Sequence, residues 1–450
     1  MWLMRDLSLN GRVLLSKAEG ISRAVYVSLA LGMPTTVFKK LDKTLFNFIW
    51  RNKCHYLKKE VLCNTRQNGG LEVLCFETVN NTFKIKWLTK LIQEEDNIWN
   101  AFPKFIFNSI GGLNFVLKCD YNPDKLPVKL ANFHKQALLS WKLVYKHNFS
   151  PTNYYIWNNR SIQYKNRSLY NKNWINNGIV LVSQLMNSDG QLLLFEEFIS
   201  KFDIAVTPKE YDIVFAAIPR NVLQLLIGSR TELFVTAPVN NIFLGSVDVT
   251  RNKCSSNYIR NLLVNVTVPP AKKFWTSLYK DINWKEMWLM SNKFCLNNKI
   301  KEVSFRIIHR IYPAKKTLER FKIDIEYSCI FCGSNEETIE HLFYHCVFTK
   351  MFWMNVQNFI ERKTGQSLYL QEKDVLLYFE DINLEKDLIF FVQLVLFLGK
   401  FHIHKRKWTD SKPLFNLFLQ ELSHYSTTIN DLKQSKALKT NSILEKFLCN

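Results

Sequence analysis

The 450-residue sequence lacks an apolar run long enough to span a membrane. The longest run, Leu388 to Gly399, is interrupted by Gln393 and is shorter than the roughly 20 residues that cross a bilayer as a helix. We predict a buried helix there. The first residues also lack the basic-then-apolar order of a secretion signal. These two absences predict a soluble, intracellular protein.

Disulfide pairing and disorder are disfavoured by the composition. Ten cysteines, most of them isolated, are more typical of a reducing compartment than of a disulfide framework. Hydrophobic residues make up 47% of the chain and include 34 Phe and 12 Trp, which excludes a disordered protein. Neither a tandem repeat nor a low-complexity region is present, apart from a bias toward Asn. A chain of this length can form two or three domains with their own cores.

Negative charge is scarce. The 60 Lys and Arg residues outnumber the 39 Asp and Glu residues, which gives a formal net charge of +21. A folded protein with this charge favours polyanions, nucleic acid first and anionic membrane second. The alternative is an even spread of basic residues that serves solubility. The distribution argues against it, because residues 125–188 contain nine Lys or Arg residues and no acid.

Aromatic, cationic and amide side chains interleave within residues 125–188. Cations neutralise phosphates, rings stack on unpaired bases, and amides hydrogen-bond base edges or 2′-hydroxyls. The alternative places the aromatic rings in a core and the Asn-rich parts in turns. We predict a nucleic-acid surface with contacts from Tyr154, Tyr155, Trp157, Arg160, Lys165, Arg167 and Lys172. The same segment contains Tyr164, Tyr170, Trp174, Asn158, Asn159, Asn166, Asn171 and Asn173.

Two further basic stretches follow. Residues 299–322 carry eight Lys or Arg residues against two acids. Helical spacing would place two of the arginines on one face, so we add nucleic-acid contacts at Arg306, Arg310, Lys315 and Lys316. Residues 400–412 contain His402 and His404, which lack metal-binding partners at a usable spacing. We predict a solvated basic face there.

Cys329, Cys332, His341 and Cys346 form a C-x2-C-x8-H-x4-C set. Three thiolates and one imidazole complete a tetrahedral zinc site and leave no position open for a substrate, so the predicted zinc is structural. His345 is an alternative ligand, but it lies directly beside Cys346, whereas the x4 spacing of His341 leaves room for a turn. An accidental cluster of buried cysteines is the competing interpretation. The other seven cysteines show no comparable spacing.

The segment around these ligands is acidic. It contains no Lys or Arg between Asp324 and Thr349, and its acids are Asp324, Glu326, Glu336, Glu337 and Glu340. Zinc with three thiolates adds a net charge of about −1. Such a surface would repel phosphates. We therefore predict that the zinc module fixes the flanking basic helices and does not itself contact nucleic acid.

Helical periodicity dominates the chain and predicts a mainly α, multidomain fold with a small β-containing middle region. Amphipathic helices are expected after Pro34, at 80–93 and at 132–147, and short strands at 243–249. Pro269-Pro270 marks a boundary. The predicted domains are a helical region at 1–60, a basic, aromatic- and Asn-rich region at 61–268, and a helical domain at 269–450 that holds the zinc module at about 326–350.

Several motifs resemble non-LTR (LINE-type) retrotransposon reverse transcriptases. The resemblance to the thumb and the region after it lies in residues 2–12, Phe48-Ile49-Trp50 and Gly69-Gly70-Leu71. The resemblance to a downstream part of these proteins lies in residues 147–151 and 154–158. Residues 305–314, which lead to the zinc ligands, resemble the approach to the family's cysteine-rich domain. The resemblance implies that residues 1–60 are thumb-like, with Arg5, Arg12 and Lys17 on the basic face of its first helix. It also implies a chain that lies behind the polymerase palm and holds RNA during target-primed reverse transcription.

The chain departs from that family at its catalytic motif. DNA synthesis needs paired aspartates that hold two magnesium ions, and no Asp-Asp dipeptide occurs in the sequence. Nothing resembles the family's endonuclease. Acidic pairs such as Glu94-Glu95, Glu196-Glu197 and Glu380-Asp381 are ordinary solvated carboxylates in this interpretation. We predict that the chain is not an enzyme.

The sequence thus predicts a non-catalytic nucleic-acid-binding fragment of a LINE-type reverse transcriptase. Its expected partners are RNA, an RNA–DNA hybrid or DNA, with no membrane, and a polymerase supplied in trans is left open. The expected location is a cytoplasmic ribonucleoprotein, the nucleus, or both. Two alternatives stay open: a domesticated, zinc-stabilised interaction scaffold whose aromatic residues pack against a protein, and a decayed element remnant without a selected role.

Overall fold

The computed structural model describes residues 5–93, 98–145, 154–187, 189–228, 241–319 and 326–448. Over these ranges the chain is mainly α, 61% helical, with strands only in two two-stranded sheets. The predicted fold class is confirmed. Residues 2–4 of the opening motif, the motif at 147–151 and Asp324 lie outside the described residues.

The first twelve helices are α1 (Leu9–Leu15), α2 (Ser22–Ala30), α3 (Thr35–Ile49), α4 (Lys59–Cys63), α5 (Phe76–Ile92), α6 (Ile98–Asn108), α7 (Leu113–Val116), α8 (Asn132–Val144), α9 (Lys172–Asn176), α10 (Phe195–Phe202), α11 (Pro208–Ala217) and α12 (Arg220–Gly228). The later ones are α13 (Ser256–Leu263), α14 (Pro270–Leu278), α15 (Trp284–Lys293), α16 (Asn298–Ile308), α17 (Lys315–Glu319), α18 (Val347–Thr364), α19 (Glu372–Leu376), α20 (Lys386–Trp408), α21 (Phe415–Asn430) and α22 (Ser435–Leu448).

Two hairpins supply the strands, both antiparallel. The first pairs β1 (Gln163–Tyr164) with β2 (Arg167–Ser168), and the second pairs β3 (Phe243–Leu244) with β4 (Val247–Asp248). The second hairpin lies where the sequence predicted short strands. The amphipathic helix predicted after Pro34 is α3, and the helices predicted at 80–93 and 132–147 are α5 and α8 with shifted ends.

The chain divides into two compact units. One comprises Met1–Gly20, Asp42–Leu74 and Val266–Asn450, and is called unit 1 below. The other, unit 2, comprises Ile21–Leu41 and Cys75–Asn265. The predicted domain boundaries after residues 60 and 268 stay predictions.

The core of unit 1 is built around α20, which has 23 residues and is longer than the apolar run that predicted it. By length and composition α20 is apolar enough to cross a membrane, but 72% of its most apolar window is buried inside the protein. The prediction of a buried helix is confirmed. Gly399 allows α18 to approach closely, because a Cβ at this position would lie 2.6 Å from the Trp353 ring.

Unit 2 contains two hydrophobic clusters. The first brings together α5, α8 and α13 around the buried side chains of Leu88, Trp141 and Ile259. The second lies within residues 156–226 and includes Trp157, Trp174 and Phe198. Trp174 packs edge-on against Trp157, with ring centroids 5.6 Å apart. Much of the aromatic content of the Asn-rich segment therefore stabilises this second core.

Candidate functional site

The four predicted zinc ligands come together in unit 1. Their ligand atoms all lie within 4.8 Å of one another. The sulfurs of Cys329 and Cys346 are 3.9 Å apart, and Cys332 Sγ is 3.4 Å from His341 Nε2. Tetrahedral zinc, with Zn–S near 2.3 Å and Zn–N near 2.0–2.1 Å, would hold such atoms about 3.8 Å and about 3.6 Å apart. The donor set fits a closed, structural zinc site.

A tight loop holds the first two cysteines. The Cys329 N–H donates to the Asn335 carbonyl at 2.7 Å, and the Gly333 N–H donates back to the Cys329 carbonyl at 2.8 Å. Gly333 has φ +71°, a left-handed conformation that glycine adopts without strain. The turn predicted after the second cysteine thus brings the two thiols to one side of the loop.

Backbone N–H groups surround the three sulfurs. Each sulfur accepts hydrogen bonds from the residues two and three positions further along the chain: Phe331 and Cys332 for Cys329, Ser334 and Asn335 for Cys332, and Phe348 and Thr349 for Cys346. Such donors stabilise thiolates and so favour the metal-bound state.

The two N–H donors to Cys346 belong to the first turn of a helix. Cys346 is the N-cap residue of α18, whose first N–H groups carry partial positive charge. A hydrogen bond from the Cys329 thiol lowers the pKa of Cys346, and the same contact raises the pKa of Cys329. The proton between these two sulfurs is one that zinc would displace.

The structure distinguishes the two candidate histidines. Both belong to one π-helical turn, His341–His345. His341 is buried, and its backbone N–H donates to Thr338 Oγ1 at 3.0 Å. The side chain of His345 is 54% exposed and lies 3.2 Å from a Glu372 carboxylate oxygen. His341 is therefore the histidine placed among the cysteines.

Glu337 does not contribute to an exposed acidic surface, contrary to the sequence prediction. It is completely buried and pairs with the nearly buried Lys407 of α20. Its two carboxylate oxygens also accept the backbone N–H groups of Lys315 at 3.0 Å and Ile330 at 3.2 Å. Sequence reasoning missed the ion pair, because its members are 70 residues apart.

Two other acids of the zinc module pair with the basic stretch before it. Glu340 binds Arg310, whose guanidinium lies 3.6 Å from the centre of the Phe274 ring. Glu336 lies 3.3 Å from Lys316 Nζ. These contacts support the predicted role of the module in fixing the flanking helices.

The predicted nucleic-acid contacts before the zinc ligands therefore have partners within unit 1. Arg306 binds Glu302 at 2.6 Å. Lys315 donates through Nζ to the Ser328 carbonyl at 2.8 Å. Together with Arg310 and Lys316, these residues form internal contacts of the domain, and carboxylates compensate the charges of Arg306, Arg310 and Lys316.

The basic face predicted at residues 400–412 is not uniformly solvated. Lys400, His402 and Lys407 are buried, because this stretch includes the last turns of the core helix α20 and some of its side chains face inward. Burial lowers the pKa of Lys400 to about 7. His404 lies 2.9 Å from the Tyr312 hydroxyl, and burial lowers its pKa to about 4.

Several predicted contacts of the Asn-rich segment lie inside unit 2. Trp157 is buried, and its indole N–H donates to the Ile179 carbonyl at 2.7 Å. Asn158 and Asn159 are buried and hydrogen-bond backbone carbonyls. Their side chains stabilise turns and a core, which is the alternative that the sequence left open.

Tyr154 and Tyr155 are half-buried against the same core. Burial raises the pKa of Tyr155 to about 12. Arg160 is exposed but lies 2.7 Å from Asp120, so part of its charge is compensated. These three residues border the surface of unit 2. The other contacts predicted in this segment, Lys165, Arg167 and Lys172, lie on the first hairpin or follow it in the sequence.

The β1–β2 hairpin is an exposed basic and aromatic element. Tyr164 pairs in register with Arg167, and the two residues between them both have positive φ, 48° for Lys165 and 62° for Asn166, as in a type I′ turn. The Tyr164 ring is 43% exposed, and Lys165 Nζ lies 5.3 Å from its centre. Lys165, Arg167 and the nearby Lys172 are exposed.

The thumb-like residues differ in exposure. Arg12 is buried, its Nε donates to the Ile49 carbonyl at 2.6 Å, and burial lowers its pKa to about 10. It connects α1 to the end of α3 within unit 1. Arg5 is exposed and Lys17 is half-buried. Of the three, Arg12 is thus an internal residue of unit 1 and does not face solvent.

Comparison with known proteins agrees with this geometry. Residues 271–353, which contain all four ligands, match the family described as zinc-binding in reverse transcriptase. The chain is also similar to an Arabidopsis thaliana protein whose name describes it as a ribonuclease H protein. The two are 29% identical over 105 residues, which is 22% of this chain and 17% of the relative.

Residues 271–353 are therefore similar to the zinc-binding domain of reverse transcriptases. The family match and the four clustered ligand atoms confirm the predicted structural zinc. The chain spans less than a fifth of the length of the Arabidopsis protein.

Proposed function

We propose that this chain is a non-catalytic, nucleic-acid-binding part of a LINE-type reverse transcriptase, which holds RNA or an RNA–DNA hybrid for target-primed reverse transcription. Its reverse-transcriptase zinc domain supports this function, as does its net charge of +21. The motifs at 2–12, 48–50, 69–71 and 305–314 favour the LINE type.

In this proposal the zinc module acts on the nucleic acid only indirectly. Three of its carboxylates pair with Lys407, Arg310 and Lys316 of the same unit, and the module offers no surplus of cations to a phosphate backbone. Its role is to fix α16, α17 and α20 in one arrangement.

The main support for the proposal is the β1–β2 hairpin, because it presents the residue types that bind single-stranded nucleic acid. Tyr164 offers a ring face for an unpaired base, and Lys165 and Arg167 lie beside it to neutralise phosphates. Arg160 and Lys172 extend the basic surface along the same segment. The two-residue turn holds Lys165 and Arg167 in a fixed register.

Replacing Lys165 and Arg167 together with alanine is expected to weaken binding to single-stranded RNA roughly 10- to 30-fold at 0.1 M salt, because two phosphates lose their cations. The slope of log affinity against log salt should fall in magnitude by about 1.4. Fluorescence anisotropy over a series of salt concentrations measures both quantities.

The matched control removes two equally exposed lysines from unit 1, Lys386→Ala with Lys433→Ala. It changes the net charge by the same amount, so it separates a local contact from a general charge effect. Equal losses in the two variants would contradict a specific role for the hairpin.

Tyr164→Phe should bind like the wild type and Tyr164→Ala more weakly, since only the first retains a stacking ring.

The second part of the proposal is that the chain performs no DNA synthesis. Its sequence offers no Asp-Asp pair for the two magnesium ions of nucleotidyl transfer. A primed RNA template with nucleotides and Mg²⁺ is expected to yield no extension product, with a complete reverse transcriptase as positive control. Magnesium-dependent extension by the purified chain would contradict this part.

An interaction scaffold is the second candidate. The burial of Trp157, Asn158 and Asn159 favours it, because these residues stabilise the fold and are withheld from a nucleic acid. A chain that does not bind RNA at low salt but co-purifies with a protein partner would support the scaffold role.

A further inference from the structure

Three cations of unit 1 meet near Asn292 at the end of α15. Arg66 Nη1 donates to the Asn292 side-chain oxygen at 3.1 Å, and Lys436 Nζ donates to the Asn292 backbone carbonyl at 2.6 Å. The third cation is Lys301 of α16, which is half-buried. Burial lowers the pKa of Lys301, and the nearby charges of Lys436 and Arg66 lower it further. Arg66, Lys301 and Lys436 are called the cation cluster below.

The cation cluster has little negative charge to balance it. Within the described parts of the chain, Arg66 has one carboxylate partner, Glu72, which lies 3.8 Å from its Nε, and neither Lys301 nor Lys436 has any. The Arg66–Glu72 pair is more than 40% exposed on both sides, so it stabilises the cluster little. A bound anion would relieve the repulsion among three like charges. Phosphate suits this set, because arginine binds it through two N–H groups and lysine binds it as a point charge.

A cavity of about 430 Å³ in unit 1 adjoins the cation cluster. Its size lies within the range of about 300–1,000 Å³ that is typical of small-molecule sites. Cys295 lines the cavity, and its thiol is close enough to Lys301 to affect the pKa of that lysine. Two other lining residues, Ile300 and Gln434, directly precede Lys301 and lie two positions before Lys436. The cavity and the cluster therefore form one continuous site.

The cavity offers surfaces that suit a nucleobase. Its apolar wall and its rings can stack on a base, and its amides can hydrogen-bond base edges. Its one ion pair joins Lys405 to Glu421 at 2.6 Å, so that end of the cavity has no free cation for a phosphate. The apolar, aromatic and amide side chains that supply these surfaces are Leu296, Leu398, Ile429, Phe401, Tyr425 and Asn297.

We propose that this site binds a nucleoside monophosphate, with its base in the cavity and its phosphate on the cation cluster. Three cations around one point fit one phosphate group, whereas a nucleic-acid strand requires cations spaced along its backbone. The site lies in unit 1 and the β1–β2 hairpin lies in unit 2, so this binding is a separate function from the proposed contact with RNA.

Isothermal titration calorimetry of the full-length, zinc-loaded chain tests the proposal. The probes are adenosine 5′-monophosphate (AMP), uridine 5′-monophosphate, adenosine and inorganic phosphate. At least one monophosphate should bind at least about tenfold more tightly than adenosine or phosphate, because only the whole ligand occupies both parts of the site.

Lys301→Met should weaken binding of the monophosphate at least about tenfold, because one charge-assisted contact is lost. Lys436→Met, at an exposed position, should act in the same direction and serves if Lys301→Met does not fold. The matched control is Lys299→Met on the same helix, which should bind like the wild type, since Lys299 pairs with Asp6 at 2.5 Å. Melting temperatures equal to that of the wild type exclude misfolding.

A second variant separates the cavity from the cation cluster. Leu432 lines the cavity and is 38% exposed, so Leu432→Trp should fill the cavity without disturbing the core. It should abolish binding of the monophosphate and leave binding of inorganic phosphate unchanged.

Several results would overturn the assignment. They are the absence of binding at millimolar monophosphate, equal affinities for AMP and adenosine or for AMP and phosphate, and equal losses in the Lys299→Met and Lys301→Met chains. A short single-stranded RNA that displaces AMP and binds more tightly than AMP would assign the cavity to nucleic acid instead.

Discussion

Cys332→Ser is expected to abolish zinc binding and to unfold the core of residues 271–448. A structural zinc ion contributes on the order of 10–16 kcal/mol in finger peptides, which is comparable with the whole stability of a typical domain. Cys329 and Cys346 also belong to the same buried cluster as α20, so the loss would spread beyond the loop. Zinc per chain by elemental analysis and the thermal unfolding curve measure the two effects.

Three matched variants make this result specific. Cys54→Ser alters an exposed cysteine outside the site and should keep one zinc per chain. His345→Ala should also keep it, whereas His341→Ala should lose it, because only His341 lies among the cysteines. A chelated or Cys332→Ser protein that melts like the wild type would show that zinc does not maintain the domain.

Lys407→Met is expected to destabilise the protein by about 3–5 kcal/mol, because it leaves the fully buried Glu337 carboxylate without its ionic partner. The effect should appear in urea unfolding as a lower midpoint. Zinc content should stay at one per chain, since no ligand is altered.

The double variant Glu337→Gln with Lys407→Met should recover part of this loss, because a neutral amide can keep the N–H contacts of Lys315 and Ile330 without a buried charge. Lys293→Met, which removes the partner of Glu286 in a largely exposed pair, is the control and should change stability little. Equal effects of Lys407→Met and Lys293→Met would mean that the buried pair contributes no more than a surface pair.

The metal site was predictable from the sequence because its information is local. All four ligands lie between Cys329 and Cys346, at spacings that allow one tight loop and one turn, and they define a tetrahedral site without knowledge of the rest of the fold. The choice of His341 rested on the same local reasoning. Helices such as α3 and α8 were predictable because their apolar residues recur on one face.

The partners of the charged residues were not predictable, because they depend on tertiary packing. By sequence, Glu337 and Lys407 each resemble solvated surface charges, and only the fold brings them together in a core. The stretch at 400–412 was predicted as a basic face because it is rich in Lys and Arg. The sequence did not indicate that some of these side chains lie on the buried side of the last turns of α20. Trp157 illustrates the limit for aromatic residues, which suit a core and a nucleic-acid surface equally well by composition.

The β1–β2 hairpin was missed for a different reason. Two-residue hairpin turns with positive φ are usually marked by Asn-Gly or Asp-Gly, whereas this turn is Lys165-Asn166. The segment was recognised by its charge and its Tyr and Asn content, not as a strand pair. Of the nucleic-acid contacts predicted in this segment, the exposed ones are the hairpin residues Lys165 and Arg167 together with Arg160 and Lys172, and their role stays a prediction.

The most direct test of the proposed function is a salt titration of binding to single-stranded RNA, RNA–DNA hybrid and duplex DNA, with zinc measured on the same sample. We expect one zinc per chain and a linear fall of log affinity for single-stranded RNA with log salt. The slope should lie near −3, about −0.7 for each phosphate contacted by Arg160, Lys165, Arg167 and Lys172. A zinc-loaded chain that shows no binding at low salt, or a flat salt dependence, would contradict a nucleic-acid-holding role.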